Sequence, residues 1–249
     1  MTRFFFFILL FVAQISFGQT SDTSFGKPIF WYQVSDPWAM FMGAEGPVFI
    51  LYNSGKVLFW KNHAYYLKQL SEDEKSQIIS DLDFNDTLFN KSRYFNATNP
   101  DPNGLGMATD NPSYTVSVNR DSLVRVSVYG YISSKEYRKR FPPQILQIDD
   151  FVLNFEADKS YLWIPDKVEV MLSDYSNSPD TPIKWPSNWP DLNSSDTRKH
   201  GANVLSIYLD KKYFGKLRKL IKKRHEKQAF EINGKKFFIG YRFQIPGLY

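Results

Sequence analysis

The sequence predicts an α+β protein: a mainly antiparallel sheet, or sheets, built from hairpins, with about three helices packed on one face. Two observations predict this class. Pairs of segments with alternating apolar residues flank turn residues, and three other segments carry apolar residues at helical spacing. A third observation concerns the core: 17% of the residues are aromatic and 43% are hydrophobic, which is typical of a globular chain.

The first strands come from the N-terminal third of the chain. Pro47–Tyr52 and Lys56–Trp60 flank the turn residues Asn53-Ser54-Gly55, so they predict a hairpin. His63–Leu67 can add a third strand, and the aromatic segment Phe30–Tyr32 is expected to enter the core.

A helix is predicted from Ser71 to about Leu82. Ser71 and Glu74 have the spacing of a capping box, in which each residue satisfies the backbone N–H of the other. The acidic residues of the first turn also favour the positive end of the helix dipole. The apolar stripe of this helix consists of Ile78, Ile79 and Leu82.

The middle of the chain combines a long loop, a hairpin and a helix. Asn85–Pro112 is rich in Asn, Asp, Pro and Gly and is predicted to be a loop. Tyr114–Val118 and Val124–Val128 alternate as the two strands of a second hairpin with one buried face. Pro143 suits the first turn of a helix, which is expected to end near Ala157.

The C-terminal third predicts a strand at Lys167–Leu172, with Val168, Val170 and Leu172 buried and Lys167, Glu169 and Met171 on the other face. A second polar loop is expected at Tyr175–Gly201, followed by a strand at Val204–Leu209 and a helix from Asp210 to His225. The last element is a hairpin, Ala229–Ile232 with Lys235–Phe243. Its Asn233-Gly234 dipeptide favours a type I′ turn.

The first eighteen residues have the pattern of a signal peptide. Arg3 supplies a positive start, Phe4–Ala13 is apolar, and small residues at Ser16 and Gly18 form a cleavage site. The apolar run is about half of the ~20 residues needed to cross a bilayer as a helix. We therefore expect cleavage after Gly18, no transmembrane segment in the mature chain, and export to the periplasm, the outer surface or the medium.

The expected organisation is a signal peptide at 1–18, an N-terminal α+β unit at 19–160 and a C-terminal α+β unit at 161–249. The chain has no cysteine, which excludes disulfides and thiolate metal sites. A eukaryotic secreted domain usually carries cysteine pairs, so the sequence favours a bacterial exported protein.

Positive charge is concentrated near the C-terminus. Asp210–Arg242 contains 12 Lys or Arg and three acids, whereas Thr20–Leu209 contains 18 basic and 23 acidic residues. The predicted helix places Lys219, Lys222 and Lys223 opposite its apolar stripe. Such a face can meet an anionic envelope component, although a solvated helix face explains the same pattern. Nucleic acid is a poor partner for an exported protein.

Two tryptophans stand in the second polar loop. Trp185 and Trp189 lie among prolines and could stack on the rings of a glycan, or fold back to cover the core. These two residues and the three lysines are the predicted binding residues.

Catalytic motifs are absent from the sequence. Glu45, between glycines in Gly43-Ala44-Glu45-Gly46, is the one weak catalytic candidate, and a turn acid beside a hairpin explains it equally well. The histidines His63, His200 and His225 lack the spacing of metal ligands, so neither a metal nor a cofactor is predicted.

Three functions stay open at this point. The first is a non-catalytic exported protein that binds an envelope component or glycan through the basic helix or the tryptophan loop. The second is a polysaccharide hydrolase that uses carboxylates which no motif reveals. The third is a structural subunit of an exported assembly.

Overall fold

The computed structural model describes residues 22–39, 41, 45–83, 86–99, 109–200 and 204–248. The predicted signal peptide and its cleavage position after Gly18 lie outside the described residues. The described chain forms two sheets and four α-helices.

The first sheet contains eight strands, which are in chain order β1 (Pro28–Ser35), β2 (Phe49–Tyr52), β3 (Lys56–Lys61), β4 (Ala64–Gln69), β5 (Arg93–Asn96), β6 (Ser113–Asn119), β7 (Leu123–Tyr129) and β8 (Tyr161–Trp163). The second sheet contains β9 (Lys167–Asp174), β10 (Ile183–Lys184), β11 (Thr197–Lys199), β12 (Val204–Asp210), β13 (Phe230–Ile232) and β14 (Lys235–Phe243). The helices are α1 (Glu72–Asp81), α2 (Lys135–Arg138), α3 (Pro143–Asn154) and α4 (Phe214–Lys223).

The α+β class is confirmed, since helices and sheets occur together, but both sheets are mixed rather than purely antiparallel. The strand order is β5-β7-β6-β1-β2-β3-β4-β8 in the first sheet and β10-β13-β14-β9-β12-β11 in the second. Neighbouring strands are antiparallel except for β5 with β7 and β10 with β13, which are parallel. Each parallel pair includes an edge strand, β5 or β10. Neither pair is joined by a tight turn, because parallel strands need a longer connection.

The predicted hairpins are confirmed. They are β2 with β3, to which β4 adds a third strand, then β6 with β7, and β13 with β14. Asn233 and Gly234 have φ values of 50° and 76°, as a two-residue type I′ turn requires. The third helix begins at Pro143 as predicted and ends at Asn154, three residues before the expected end.

The helices do not share one face, so that part of the prediction is wrong. Ile78 of α1 and Ile145 of α3 belong to a hydrophobic cluster on one side of the first sheet. Phe214 and Leu217 of α4 belong to a second cluster, together with the apolar face of the second sheet. The second cluster also includes residues of the first sheet, such as Trp31. The first sheet is therefore apolar on both faces, and the helices cover different sides of the two sheets.

Aromatic contacts join the two predicted units. The ring centroid of Tyr65 in β4 lies 5.7 Å from that of Phe243 in β14 and 6.0 Å from that of Trp163 in β8. The hydroxyl of Tyr52 donates a hydrogen bond to the carbonyl of Pro246 over 3.1 Å. The strand Tyr161–Trp163, which starts the predicted C-terminal unit, pairs with β4 of the first sheet. The division into units at 19–160 and 161–249 stays a prediction.

Two predicted loops contain short elements that the sequence did not indicate. Residues 85–112 include a 3₁₀ turn at Thr87–Asn90 and strand β5, and residues 175–201 include β10 and β11. These three strands have two to four residues and lie at or next to a sheet edge, where backbone pairing rather than side-chain alternation holds them.

The start of α1 is confirmed in detail. The backbone N–H of Glu74 donates to the Ser71 hydroxyl over 3.2 Å, and the N–H of Ser71 donates to the Glu74 carboxylate over 2.8 Å. This reciprocal pair satisfies two of the backbone donors that a helix leaves free at its first turn.

We expect Ser71→Ala to lower the free energy of unfolding by about 1 kcal/mol, because it removes the acceptor of one capping hydrogen bond. Urea denaturation followed by far-UV circular dichroism measures the change. Ser76→Ala, in the exposed middle of the same helix, is the control and should leave stability unchanged or slightly higher. Equal effects of the two substitutions would contradict a capping role for Ser71.

Candidate functional site

The two predicted tryptophans lie in the hydrophobic cluster around α4. Trp185 and Trp189 are 8% and 6% exposed, and their rings meet edge to face at 5.1 Å. The indole N–H of Trp185 donates to the carbonyl of Pro190 over 2.9 Å, which satisfies its polar group. Trp189 also contacts Tyr213, at 5.3 Å between ring centroids. Both rings therefore contribute mainly to packing between the loop and the helix.

The basic helix has the orientation that its sequence predicts. Asp210 accepts a hydrogen bond from the backbone N–H of Lys212, which starts a 3₁₀ turn that leads into α4. Phe214 and Leu217 are buried, so the side of α4 that faces away from the core carries the charged residues. The exposed cations of α4 are Lys216, Arg218, Lys219, Lys222 and Lys223.

The structure brings part of the predicted binding set together. A shallow depression of about 290 Å³ lies between the tryptophan loop and α4. Its lining includes Trp189, Lys219 and Lys223, which the sequence singled out, and also Pro186, Asn188, Lys216 and Leu220. Lys222 is exposed on the same helix outside this lining, and Trp185 is covered.

The lysines of this surface have no carboxylate partner within the part of the chain that the structure describes. The lysines and arginines that form ion pairs in the C-terminal part of the described chain are Lys167, Lys184, Lys211 and Arg242. No acidic residue occurs between Lys211 and His225 in the sequence. We define the α4 face as the exposed lysines of α4 together with Trp189 of the neighbouring loop. These lysines are Lys216, Lys219, Lys222 and Lys223.

A larger cleft of about 820 Å³ lies beside β8, where the first sheet approaches β9, β11 and β12 of the second. Phe25 and Trp163 form its aromatic floor, and charged side chains of both signs surround it: Lys56, Lys167, Arg198, Lys211, Asp22, Asp166 and Asp196. The lining comes from segments that are far apart in the sequence, so no local pattern could have predicted it.

Most of the charges in this cleft are already paired. Lys167 lies 3.1 Å from Asp196, and Lys211 lies 2.6 Å from Asp166, which raises the pKa of the Lys211 ammonium. A hydrogen bond from Ser24 lowers the pKa of Asp22, and the charge of Lys56 adds to the effect. The charges of Asp166 and Asp196 are therefore matched by neighbouring lysines, and the hydrogen bond to Asp22 favours its charged form.

The weak catalytic candidate lies elsewhere. Glu45 stands in the connection between β1 and β2 and lines neither the depression nor the cleft. Its carboxylate accepts the backbone N–H of Asp36 over 2.9 Å, and its carbonyl accepts the side-chain amide of Gln33 over 3.1 Å. Burial raises the pKa of Glu45. Through these contacts Glu45 ties the connection between β1 and β2 back to the end of β1.

The histidines are dispersed, and among the described residues no group of three His, Asp or Glu side chains is placed to hold a metal ion. His200 lies 3.9 Å from the carboxylate of Glu169. No helix in the described segments is long and apolar enough to span a bilayer.

Sequence reasoning missed a buried polar cluster on β9. Glu169 was expected on the polar face of a half-buried strand, but it is 1% exposed, and β9 is buried on both faces from Val168 to Leu172. The Glu169 carboxylate accepts hydrogen bonds from the Ser206 hydroxyl at 2.7 Å, from Nε of Arg242 at 2.7 Å, and from Gln244. The charge of Glu169 is thus neutralised inside the fold and is closed to solvent.

These features differ in their chemistry. The α4 face is cationic and open, the cleft combines an aromatic floor with both signs of charge, and the Glu169 cluster is enclosed. Comparison with protein-family models, with curated proteins and with solved structures finds no match to this chain.

Proposed function

We propose that this chain is a non-catalytic binding protein, exported by a bacterium, that holds an anionic component of the cell envelope on its α4 face. The observation that supports the proposal most directly is the set of exposed lysines beside Trp189, which have no acidic neighbour on their helix. A surface of this kind attracts polyanions over a Debye length of about 8–10 Å at physiological salt.

The helix dipole explains only part of this charge. Cations near a helix C-terminus are favourable, which accounts for Lys222 and Lys223 in the last turn of α4. Lys216 lies in the first turn, near the positive end of the dipole, where a cation is unfavourable. Lys219 and Lys223 are spaced i,i+4, so they repel each other. Both features lower the stability of the helix, and binding of an anionic ligand explains their presence better than solvation alone does.

The lysines also have a spacing that suits a repeating polyanion. Lys216, Lys219 and Lys223 follow one side of α4 and line the same depression. With a rise of 1.5 Å per residue, they cover about 10 Å of the helix axis. Trp189 and Pro186 give the depression an apolar floor, against which the carbon skeleton of a sugar acid or a lipid headgroup can rest.

The hydrolase alternative finds less support in the described residues. A glycoside hydrolase needs one carboxyl group with a raised pKa facing a second across a pocket. In the large cleft, Asp166 and Asp196 pair with lysines, and the pKa of Asp22 is lowered. Glu45, whose pKa is raised, lies outside both concave surfaces.

We expect the triple variant Lys219→Glu, Lys222→Glu, Lys223→Glu to lose binding to a sulfated resin at about 0.15 M salt, where the unaltered protein is retained. The three substitutions replace attraction by repulsion on one helix face, and they leave the buried residues of α4 in place. The salt concentration at which each protein elutes is the measurement.

The matched control is the triple variant Lys91→Glu, Lys135→Glu, Lys139→Glu, which changes the net charge equally at exposed positions on the first-sheet side of the molecule. We expect it to elute close to the unaltered protein. Equal losses in the two triple variants would show that net charge, not the α4 face, controls retention, and would contradict the proposal.

The same proteins distinguish two sources of anionic chemistry. Sedimentation with vesicles of phosphatidylglycerol tests a lipid surface, and titration with polygalacturonate tests an acidic glycan. Vesicles of phosphatidylcholine provide the neutral reference. Binding to neither anion in 0.05 M salt, where the Debye length is about 14 Å, would exclude the proposed function.

A further inference from the structure

The large cleft has a second feature, which its charges alone do not show: it runs along an unpaired strand edge. β8 is the last strand of the first sheet, and within the described residues only β4 pairs with it. All three residues of β8 line the cleft. An unpaired edge presents backbone N–H and C=O groups in a row, so it can accept one more strand.

The side chains of β8 fit such a use. Tyr161 and Leu162 are adjacent, point to opposite faces of the strand, and are 59% and 54% exposed. Exposed edge strands commonly carry charged residues or proline that prevent pairing with another chain. β8 instead carries two large apolar side chains and Trp163, and its sequence contains no charge and no proline.

The charges of the cleft indicate what kind of strand it would accept. Lys167 with Asp196, and Lys211 with Asp166, neutralise each other. This leaves Lys56 and Arg198 against Asp22, which is an excess of one positive charge. Lys56 is held by the Ser24 hydroxyl at 2.8 Å and lies 4.5 Å above the ring of Phe25. Arg198 donates to the carbonyls of Ser195 and Thr197, so its guanidinium is placed without a carboxylate.

We propose that the cleft binds an extended polypeptide segment with acidic side chains, which pairs with the free edge of β8 as an added strand. Backbone hydrogen bonds to β8 supply the main attraction in this mode of recognition, and side chains of the segment select it. Tyr161 and Leu162 contact apolar side chains on either face of the segment, and Arg198 and Lys56 meet its carboxylates. The volume of the cleft lies within the range of about 300–1,000 Å³ that is typical of ligand sites. This site is separate from the α4 face and does not depend on the function proposed there.

The test uses hydrogen–deuterium exchange of the full-length mature protein with defined peptides. The probe is the peptide acetyl-Thr-Val-Glu-Val-Glu-Val-Thr-amide, which is extended and acidic. We expect it to protect the backbone amides of Tyr161–Trp163 from exchange. The same sequence with lysine in place of glutamate should protect them less, because its charge repels Lys56 and Arg198. The acidic peptide with alternate backbone nitrogens methylated should not protect them, because it cannot donate hydrogen bonds to β8.

Substitutions locate the site on the protein. Arg198→Glu should weaken binding of the acidic peptide by roughly three- to tenfold. Lys91→Glu changes the net charge equally on a distant surface and should leave the affinity unchanged. Tyr161→Ala should also weaken binding, since it removes the exposed ring from the edge, whereas the triple variant of α4 should bind the peptide normally.

Three results would overturn the proposal. The first is the absence of protection at Tyr161–Trp163 by the acidic peptide at millimolar concentration. The second is equal protection by the methylated peptide, because that would exclude strand addition. The third is displacement of the peptide by trigalacturonate at an equal concentration, because that would identify the cleft as a site for an acidic sugar.

Discussion

We expect Glu169→Ala to lower the free energy of unfolding by about 3–5 kcal/mol, which is the cost of breaking a buried ion pair by removing one partner. Glu169 is central to the second sheet, since β9 lies between β14 and β12. The substitution removes the acceptor of the buried Ser206 hydroxyl and the carboxylate that neutralises Arg242. Urea denaturation followed by tryptophan fluorescence measures the loss.

The control for this prediction is a glutamate of the same sheet with an exposed partner. Glu231 on β13 pairs with Lys184, whose side chain is mostly exposed. Glu231→Ala should cost less than about 1 kcal/mol, because solvent already screens that pair. If Glu169→Ala came within about 1 kcal/mol of the unaltered protein, the cluster would contribute no more to stability than an exposed ion pair does.

A double substitution separates the charge from the packing. Glu169→Leu combined with Arg242→Leu replaces both members of the pair by apolar side chains. Because apolar replacements remove the desolvation cost of both charges, the double variant should lose less stability than Glu169→Ala alone. A loss larger than that of Glu169→Ala would show that the packing of these side chains, rather than their charges, stabilises the sheet.

Local patterns explain which parts of the fold the sequence predicted. The capping box of Ser71 and Glu74, and the Asn233-Gly234 turn, depend on residues within four positions of one another. Each predicted hairpin pairs two strands that are adjacent in the sequence, so the turn between them determines their register. The same reason explains α4, whose stripe of Phe214 and Leu217 is visible in a single segment.

Strands buried on both faces were harder to identify. In β1, Phe30 and Tyr32 belong to one hydrophobic cluster and Trp31 to the other, so the strand has no apolar–polar alternation. β9 shows the opposite problem. It does alternate, but its polar residue Glu169 is buried by partners from β12 and β14. A sequence pattern tells which residues share a face of a strand, and tertiary structure decides whether that face meets solvent.

The candidate surfaces also divide into features that a local sequence pattern predicts and features that depend on tertiary structure. Lys219, Lys222 and Lys223 occupy one helix, so the sequence predicted their common orientation. The contact between that helix and Trp189 depends on how a loop folds back, and the sequence left two alternatives for the loop. The cleft beside β8 combines side chains from the beginning, the middle and the end of the chain. Only the three-dimensional structure could bring these residues together.

The second large effect concerns pH and a buried carboxyl group in the helical layer. Asp149 of α3 is buried and accepts a hydrogen bond from the hydroxyl of Tyr32 in β1 over 2.7 Å. Burial raises the pKa of Asp149, although the Tyr32 hydrogen bond acts in the opposite direction. Burial and the neighbouring carboxylate also raise the pKa of Tyr32, so the phenol stays protonated and continues to donate.

This arrangement determines how stability depends on pH. In the unfolded chain the Asp149 carboxyl loses its proton near the ordinary value of about 3.9. The folded protein keeps that proton to a higher pH, so between the two pKa values it binds more protons than the unfolded chain does. The contribution of Asp149 to the free energy of unfolding therefore falls as pH rises through this interval, and it becomes constant above the folded-state pKa.

We expect Asp149→Asn to remove this pH dependence and to make the protein more stable at pH 7. Asparagine stays neutral at every pH and can still accept the Tyr32 hydrogen bond through its side-chain oxygen. The gain is about 1.4 kcal/mol for each unit by which folding raises the Asp149 pKa. The measurement is the free energy of unfolding between pH 4 and pH 8 by urea denaturation of both proteins.

Two further variants show whether the buried pair is responsible. Asp150→Asn alters the exposed neighbour, which pairs with Arg138 at 3.1 Å and whose charge adds to the rise in the pKa of Asp149. It should reduce the slope attributed to Asp149 without abolishing it, because burial is the larger cause. Tyr32→Phe removes the donor to the Asp149 carboxylate and should lower the stability at pH 7 by about 1.5–3 kcal/mol. It should also steepen the fall of stability with pH, because the charged form loses a hydrogen bond that favours it. If Asp149→Asn kept the pH dependence of the unaltered protein, that dependence would come from another group whose pKa changes on unfolding. The buried Asp149 carboxylate would then not lower the stability at pH 7.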